Sequence, residues 1–128
     1  MERDGRTFSQ TKVQRVFDHL LVDFKTWGIP ISDKIKPEVG YMKRSDAYAL
    51  TVILEDGSFR ISVTSLIWEQ YEVPGEAIRS LLAHELCHTI KGCFNHGKEW
   101  KKWVMLLNDK HGFKINPYPY SKKKTVLY

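Results

Sequence analysis

The segment His84-Glu85-Leu86-Cys87-His88 constrains this chain more than any other feature. An α-helix advances about 100° per residue, so imidazoles four positions apart lie about 40° from each other, one turn apart on one face. Glu85 flanks that face at about 100°. Two neutral imidazoles so placed bind a borderline-soft cation such as zinc, while the carboxylate reaches a water beside the metal. The chemistry requires a helix here, and the neighbouring residues agree. Ile78, Leu82, Leu86, Thr89 and Ile90 fall between about 120° and 240° on the same wheel, an apolar back opposite the histidines. Cys87 lies about 60° to the other side of His84 and reads as a small packing residue, not a ligand. The competing reading is two surface histidines that merely stabilise a helix.

A catalytic zinc site ordinarily takes three protein ligands and a water. His96 is the favoured third ligand, because Gly92 allows the chain reversal that would bring it back to the metal helix. Glu99 is the rival, since some zinc peptidases use a glutamate. Cys93 stands near enough in sequence to close a four-ligand structural site. His19 lies mid-helix beside Asp18, and His111 lies in a last helical turn before Gly112, where an imidazolium complements the helix dipole. Both read as structural.

The rest of the chain supplies a scaffold. Val13, Val16, Phe17, Leu20, Leu21, Phe24 and Trp27 recur at helical spacing, which predicts an amphipathic helix from Ser9 to Trp27, ended by Gly28-Ile29-Pro30. Val39 to Met42 reads as a short strand. Tyr48 to Glu55 and Phe59 to Thr64 read as two strands joined through Asp56-Gly57 in a hairpin. A second helix is expected from Pro74-Gly75 to about Lys91, with Gly92 as the residue that ends it. A third, capped by Asn95 and ended by Gly112, carries Trp100, Trp103, Val104 and Leu107 on one face. The fold class is therefore α+β: an N-terminal helix, a small antiparallel sheet, the metal helix and a further helix. With 128 residues, a single domain over 1–128 is expected, its core at about 9–119 and a tail at 120–128.

Composition bounds the remaining options. A hydrophobic fraction of 42% suits a packed core and argues against wholesale disorder. The net charge of +5 admits nucleic acid as a partner, although lysines on a solvated surface explain it as well. Lys122, Lys123 and Lys124 read as a solvated tail. Two cysteines make no disulfide framework, which fits a reducing cytoplasm. The polar N-terminus shows no apolar signal core, and no stretch approaches the ~18 apolar residues of a membrane helix, so no membrane partner is expected.

The His84-Glu85-Leu86-Cys87-His88 segment, a short loop, and then His96-Gly97-Lys98-Glu99-Trp100 resemble the SprT-like metallopeptidases, the family of the Spartan-type proteases. The His-Gly-x-x-Trp continuation is more distinctive than the metal motif alone, and the order helix, β segment, metal helix is also similar. The likeness extends from about Ser9 to Pro119, with its specific motifs confined to residues 84 to 100. It implies a compact zincin fold, Zn2+ as cofactor, His84, His88 and His96 as metal ligands, Glu85 as the catalytic carboxylate, and hydrolysis of peptide bonds in a protein or peptide substrate. Spartan-type relatives are associated with cleaving proteins crosslinked to DNA. Many relatives carry a cysteine-rich zinc ribbon after the catalytic domain; none is present here, which weakens the expectation of action on DNA-associated proteins. The spacing of the third histidine differs from that of metzincins, and the minimal layout resembles the small zincins called minigluzincins.

Two other function classes stay open. Zinc could staple two helices in a non-catalytic binding module. Alternatively, Lys98, Lys101, Lys102 and Lys122–Lys124 could bind nucleic acid, with the salt dependence that phosphate contacts impose. Tyr118, Tyr120 and Arg79 are candidates for an oxyanion donor, and the terminal Val126-Leu127-Tyr128 for a segment folding over the cleft.

Overall fold

A computed structural model of the chain describes residues 8–43, 48–65 and 75–117. The elements are α1 (Phe8–Thr26), β1 (Gly40–Met42), β2 (Ala49–Ile53), β3 (Phe59–Thr64), α2 (Gly75–Cys87) and α3 (Lys98–His111). The architecture is α+β, as expected. The expected tail and the candidates Tyr118 and Tyr120 lie outside the described residues.

Helix α1 buries Val13, Phe17, Leu20 and Phe24, one stripe at helical spacing, while Val16, Leu21 and Trp27 pack at its margin. Its end is a Schellman motif: Ile29 N–H donates to Phe24 O at 2.9 Å and Gly28 N–H to Lys25 O at 3.1 Å. Gly28 sits at φ 74°, a left-handed conformation that costs a glycine little. Gln14 faces inward. Its side chain donates to Pro37 O at 2.8 Å and accepts from Val39 N–H at 2.9 Å, tying the approach to β1 onto α1.

That tie bears on the sheet, which is mixed where the sequence suggested an antiparallel one. Strand order is β1-β3-β2, with β1 parallel to β3 and β2 antiparallel to it. The chain leaves α1 along residues 34–36, which already pair with Phe59, and enters β1 in the direction of β3. The β2–β3 hairpin is as read, in register from Ala49↔Val63 to Ile53↔Phe59. Strand β3 is central, and β2 is an edge of the described sheet.

Helix α2 packs against α1, β2, β3 and α3. It is consequently buried almost all round, from Ala77 to Cys87 except for half-buried Arg79. The apolar back is real, with Leu82 and Leu86 at 0% exposure, but the opposite face is enclosed as well. The helix also stops earlier than Lys91. His88, Thr89 and Ile90 donate to carbonyls three residues back, at 3.0, 3.0 and 3.2 Å, so the last turn tightens. The Thr89 hydroxyl donates to Leu86 O at 2.8 Å and competes for a helical acceptor. Gly92, at φ 82°, thus turns the loop that follows, not the helix end. Asn95 accepts Gly97 N–H at 3.0 Å, which caps a turn; Gly97 itself is the N-cap of α3, without a side-chain bond. Gly112 closes α3 in the left-handed region as expected. Trp100, Val104 and Leu107 form the buried face of α3, with Trp103 at its margin. Among the described residues, no helix is long and apolar enough to cross a membrane.

Candidate metal centre

His84 comes from the last turn of α2, His88 from the tightened turn after it, and His96 from the loop entering α3. The structure brings all three together. His96 Nε2 stands 3.1 Å from His84 Nε2 and 3.1 Å from His88 Nε2. Imidazoles at zinc bond lengths of about 2.0–2.1 Å in a tetrahedron stand about 3.3 Å apart, so the spacing suits one small cation. The residues present fit such an ion chemically too. His88 Nδ1 lies 2.9 Å from the carbonyl of Cys93, an acceptor, so Nδ1 carries the hydrogen and Nε2 offers its lone pair to the centre.

Burial keeps these rings uncharged. It lowers the His84 pKa to about 3, aided by the charges of His88 and His96. It lowers His96 to about 4, with His88 and Lys101 adding to the effect. His88 is also lowered by burial, against the pull of its hydrogen bond to Cys93. Neutral imidazoles are the form that binds a metal. Among the described residues, this trio is the group of His, Cys, Asp or Glu side chains able to hold a metal ion.

Two packing features hold the rings. Trp100 is fully buried, four residues after His96, with its indole 4.8, 5.4 and 4.6 Å from the rings of His84, His88 and His96. Its Nε1–H donates to the His84 carbonyl at 3.4 Å. Gly92, in the reversal between His88 and His96, provides the left-handed turn.

Glu85 is 6% exposed, and its Oε2 lies 3.7 Å from His84 Nε2. With His84 neutral, this contact is no ion pair; it marks a carboxylate oxygen directed at the imidazole cluster. Burial pushes the Glu85 pKa up to about 7, against the hydrogen bond from Thr51, which favours the ionised form. A cleft of about 220 Å³ opens above these groups, bounded by Ala49, Leu50 and Thr51 of β2 on one side and by Phe94 on the other.

The remaining candidates lie elsewhere. Glu99 is exposed and outside the trio. Cys93 is fully buried and serves the site through its carbonyl. Cys87 is a core residue, its thiol pushed up by burial. Arg79 stacks its guanidinium over Phe113, 3.9 Å from the ring centroid, and does not line the cleft. His19 is exposed, and His111 stacks on Trp27 at 3.7 Å, so neither joins the site. Thr51 and the Cys93 carbonyl escaped the sequence reading. No periodicity announces a contact between a strand and a helix.

A search of curated proteins finds no match. The family model described as SprT-like matches residues 6–121, nearly the whole length and well beyond the two motifs. With the converging histidines and the α+β framework, that match shows that the chain belongs to the SprT-like family.

Proposed function

We propose that this protein is a zinc-dependent metallopeptidase, with His84, His88 and His96 as ligands and Glu85 as general base and acid. The observation that carries the reading is the convergence of three neutral imidazole nitrogens with a buried carboxylate oxygen 3.7 Å from one of them. A zinc ion bound there would supply Lewis acidity toward the scissile carbonyl and make a water nucleophilic near neutral pH. Glu85 would accept a proton on Oε2 from a water beside the site and pass it to the departing amine. Burial raises the Glu85 pKa, the direction that favours holding a proton. Phe94 and β2 line the cleft beside these groups.

An extended peptide fits along β2. Strand β3 is flanked by β1 and β2 and has no free edge to offer a peptide. Strand β2 is an edge of the described sheet, and it borders the cleft, so strand addition there would lay a peptide across the imidazoles. The alternative of a structural zinc staple calls for a fourth protein ligand. The described residues bring three. The free thiols of Cys87 and Cys93 support a reducing compartment such as the cytoplasm.

The test compares wild type with Glu85→Gln. Both should carry about one zinc per chain, and only wild type should digest a peptide library. Equal digestion by the two proteins, or a wild type that takes up no metal, contradicts the proposal.

A further inference from the structure

We infer that Thr51 is a positioning residue for Glu85: its hydroxyl, carried on the edge strand β2, holds one carboxylate oxygen and leaves the other facing the imidazole cluster. The inference rests on the peptidase reading above. Thr51 Oγ1 donates toward Glu85 Oε1 at 2.8 Å and toward the Glu85 backbone carbonyl at 2.9 Å. A single hydroxyl hydrogen thus addresses both ends of one residue and ties the carboxylate to its own backbone.

The geometry specifies which oxygen does the chemistry. Oε1 is occupied by Thr51, whereas Oε2 is the atom 3.7 Å from His84 Nε2. A proton taken from water therefore lands on Oε2, the side from which it is later released, while Oε1 keeps accepting from Thr51. Threonine suits the task, because a β-branched side chain is stiff about χ1. Its backbone is fixed too, since Thr51 pairs with Ile61 in the β2–β3 ladder. Thr51 also lines the cleft. The strand proposed to receive the substrate is thus the strand that aims the base, so peptide and carboxylate share one frame.

The experiment uses the full chain as wild type, Thr51→Val, Thr51→Ser and Glu85→Gln. It measures kcat and KM on a peptide that wild type cleaves, zinc affinity by chelator competition, and crystal structures of the metal-free variants. Thr51→Val keeps the shape and removes the hydroxyl. Its kcat should fall about 10- to 100-fold, a part of what a general base contributes, with KM and zinc affinity within about threefold of wild type. Thr51→Ser should recover kcat to within about threefold of wild type. In the valine variant Glu85 Oε1 should leave its position against β2, and in the serine variant it should keep it. Wild-type kcat in Thr51→Val overturns the inference, as does a serine variant as impaired as valine, or a zinc affinity that falls in step with kcat. Loss of activity in Glu85→Gln beside a fully active Thr51→Val sinks this inference and leaves the peptidase reading standing. Indifference of turnover to Glu85→Gln sinks both.

Discussion

Trp100→Phe separates packing from the orientation of the ligands. Trp100 is fully buried against all three imidazoles, and its indole N–H reaches the His84 carbonyl at 3.4 Å. Losing the pyrrole ring leaves a void on the order of 40 Å³, worth about 1 kcal/mol at ~24 cal/mol per Å³. The hydrogen bond is long, and its loss costs up to about 1 kcal/mol more. The metal-free variant should therefore be about 2 kcal/mol less stable than wild type, a fall of several degrees in melting temperature for a chain of this size. If the indole also fixes the ring directions, zinc affinity should drop about tenfold or more, as it does when groups behind metal ligands are removed.

The two effects add in a defined way. Zinc stabilises the folded state by an amount set by its Kd, so a tenfold weaker Kd adds about 1.4 kcal/mol to the variant's deficit at saturating zinc. Urea unfolding of both proteins, with chelator and with excess zinc, gives four free energies. The deficit should be about 2 kcal/mol without metal and above 3 kcal/mol with it. Equal deficits in the two conditions would show that Trp100 fills space and does nothing for the ligands.

Three further outcomes are expected. His96→Ala should abolish stoichiometric zinc uptake, measured as metal per chain after dialysis, whereas Glu99→Ala should leave it intact. Gly92→Ala should cost about 1–2 kcal/mol in urea unfolding, because a Cβ at φ 82° meets the steric penalty of the left-handed region, and zinc affinity should weaken with it. The chelator-treated protein should lose stability as pH falls below 6.5. His84 stays neutral in the fold down to about 3 but protonates near 6.5 when unfolded, so the unfolded chain binds more protons across that window. Glu85 opposes this, since its pKa near 7 lets the folded chain bind a proton first as the pH drops toward 4.5. Metal-free Glu85→Gln should therefore be more acid-sensitive than wild type in urea midpoints taken from pH 7 to 4, and an equal or shallower dependence contradicts the assignment.

Local rules made much of the site legible. His84, Glu85 and His88 lie within five residues, where helical geometry alone predicts their directions, and His96 follows through a reversal that a glycine marks. The same rules located α1, the hairpin and the buried face of α3. They failed where distant groups compete with local ones. The helix end was placed too late because the Thr89 hydroxyl and the tight turn at His88 withdraw acceptors from the helical ladder. The sheet reads as antiparallel because the hairpin is visible in the sequence, whereas β1 continues a segment already paired in parallel with Phe59 and held to α1 by Gln14, 25 residues before the amide it binds. Thr51 was invisible for the same reason: its role is set by how β2 lies on α2.

The enclosure of α2 changes what the metal motif implies. A helix with one apolar face would present its histidines to solvent, and its polar groups would be hydrated without metal. Here His84, Glu85 and His88 are all less than 9% exposed, so each must find a partner inside the protein. Glu85 takes Thr51 from the sheet, and His88 takes the Cys93 carbonyl from the following loop. The three Nε2 atoms share one small space at hydrogen-bonding distance from one another, with the His88 lone pair fixed toward it by the bond to Cys93. A cation there would take the lone pairs of all three rings at once. Burial keeps the rings in the neutral form that a metal binds, and because the three come together only in the folded chain, metal binding is coupled to the stability of the fold.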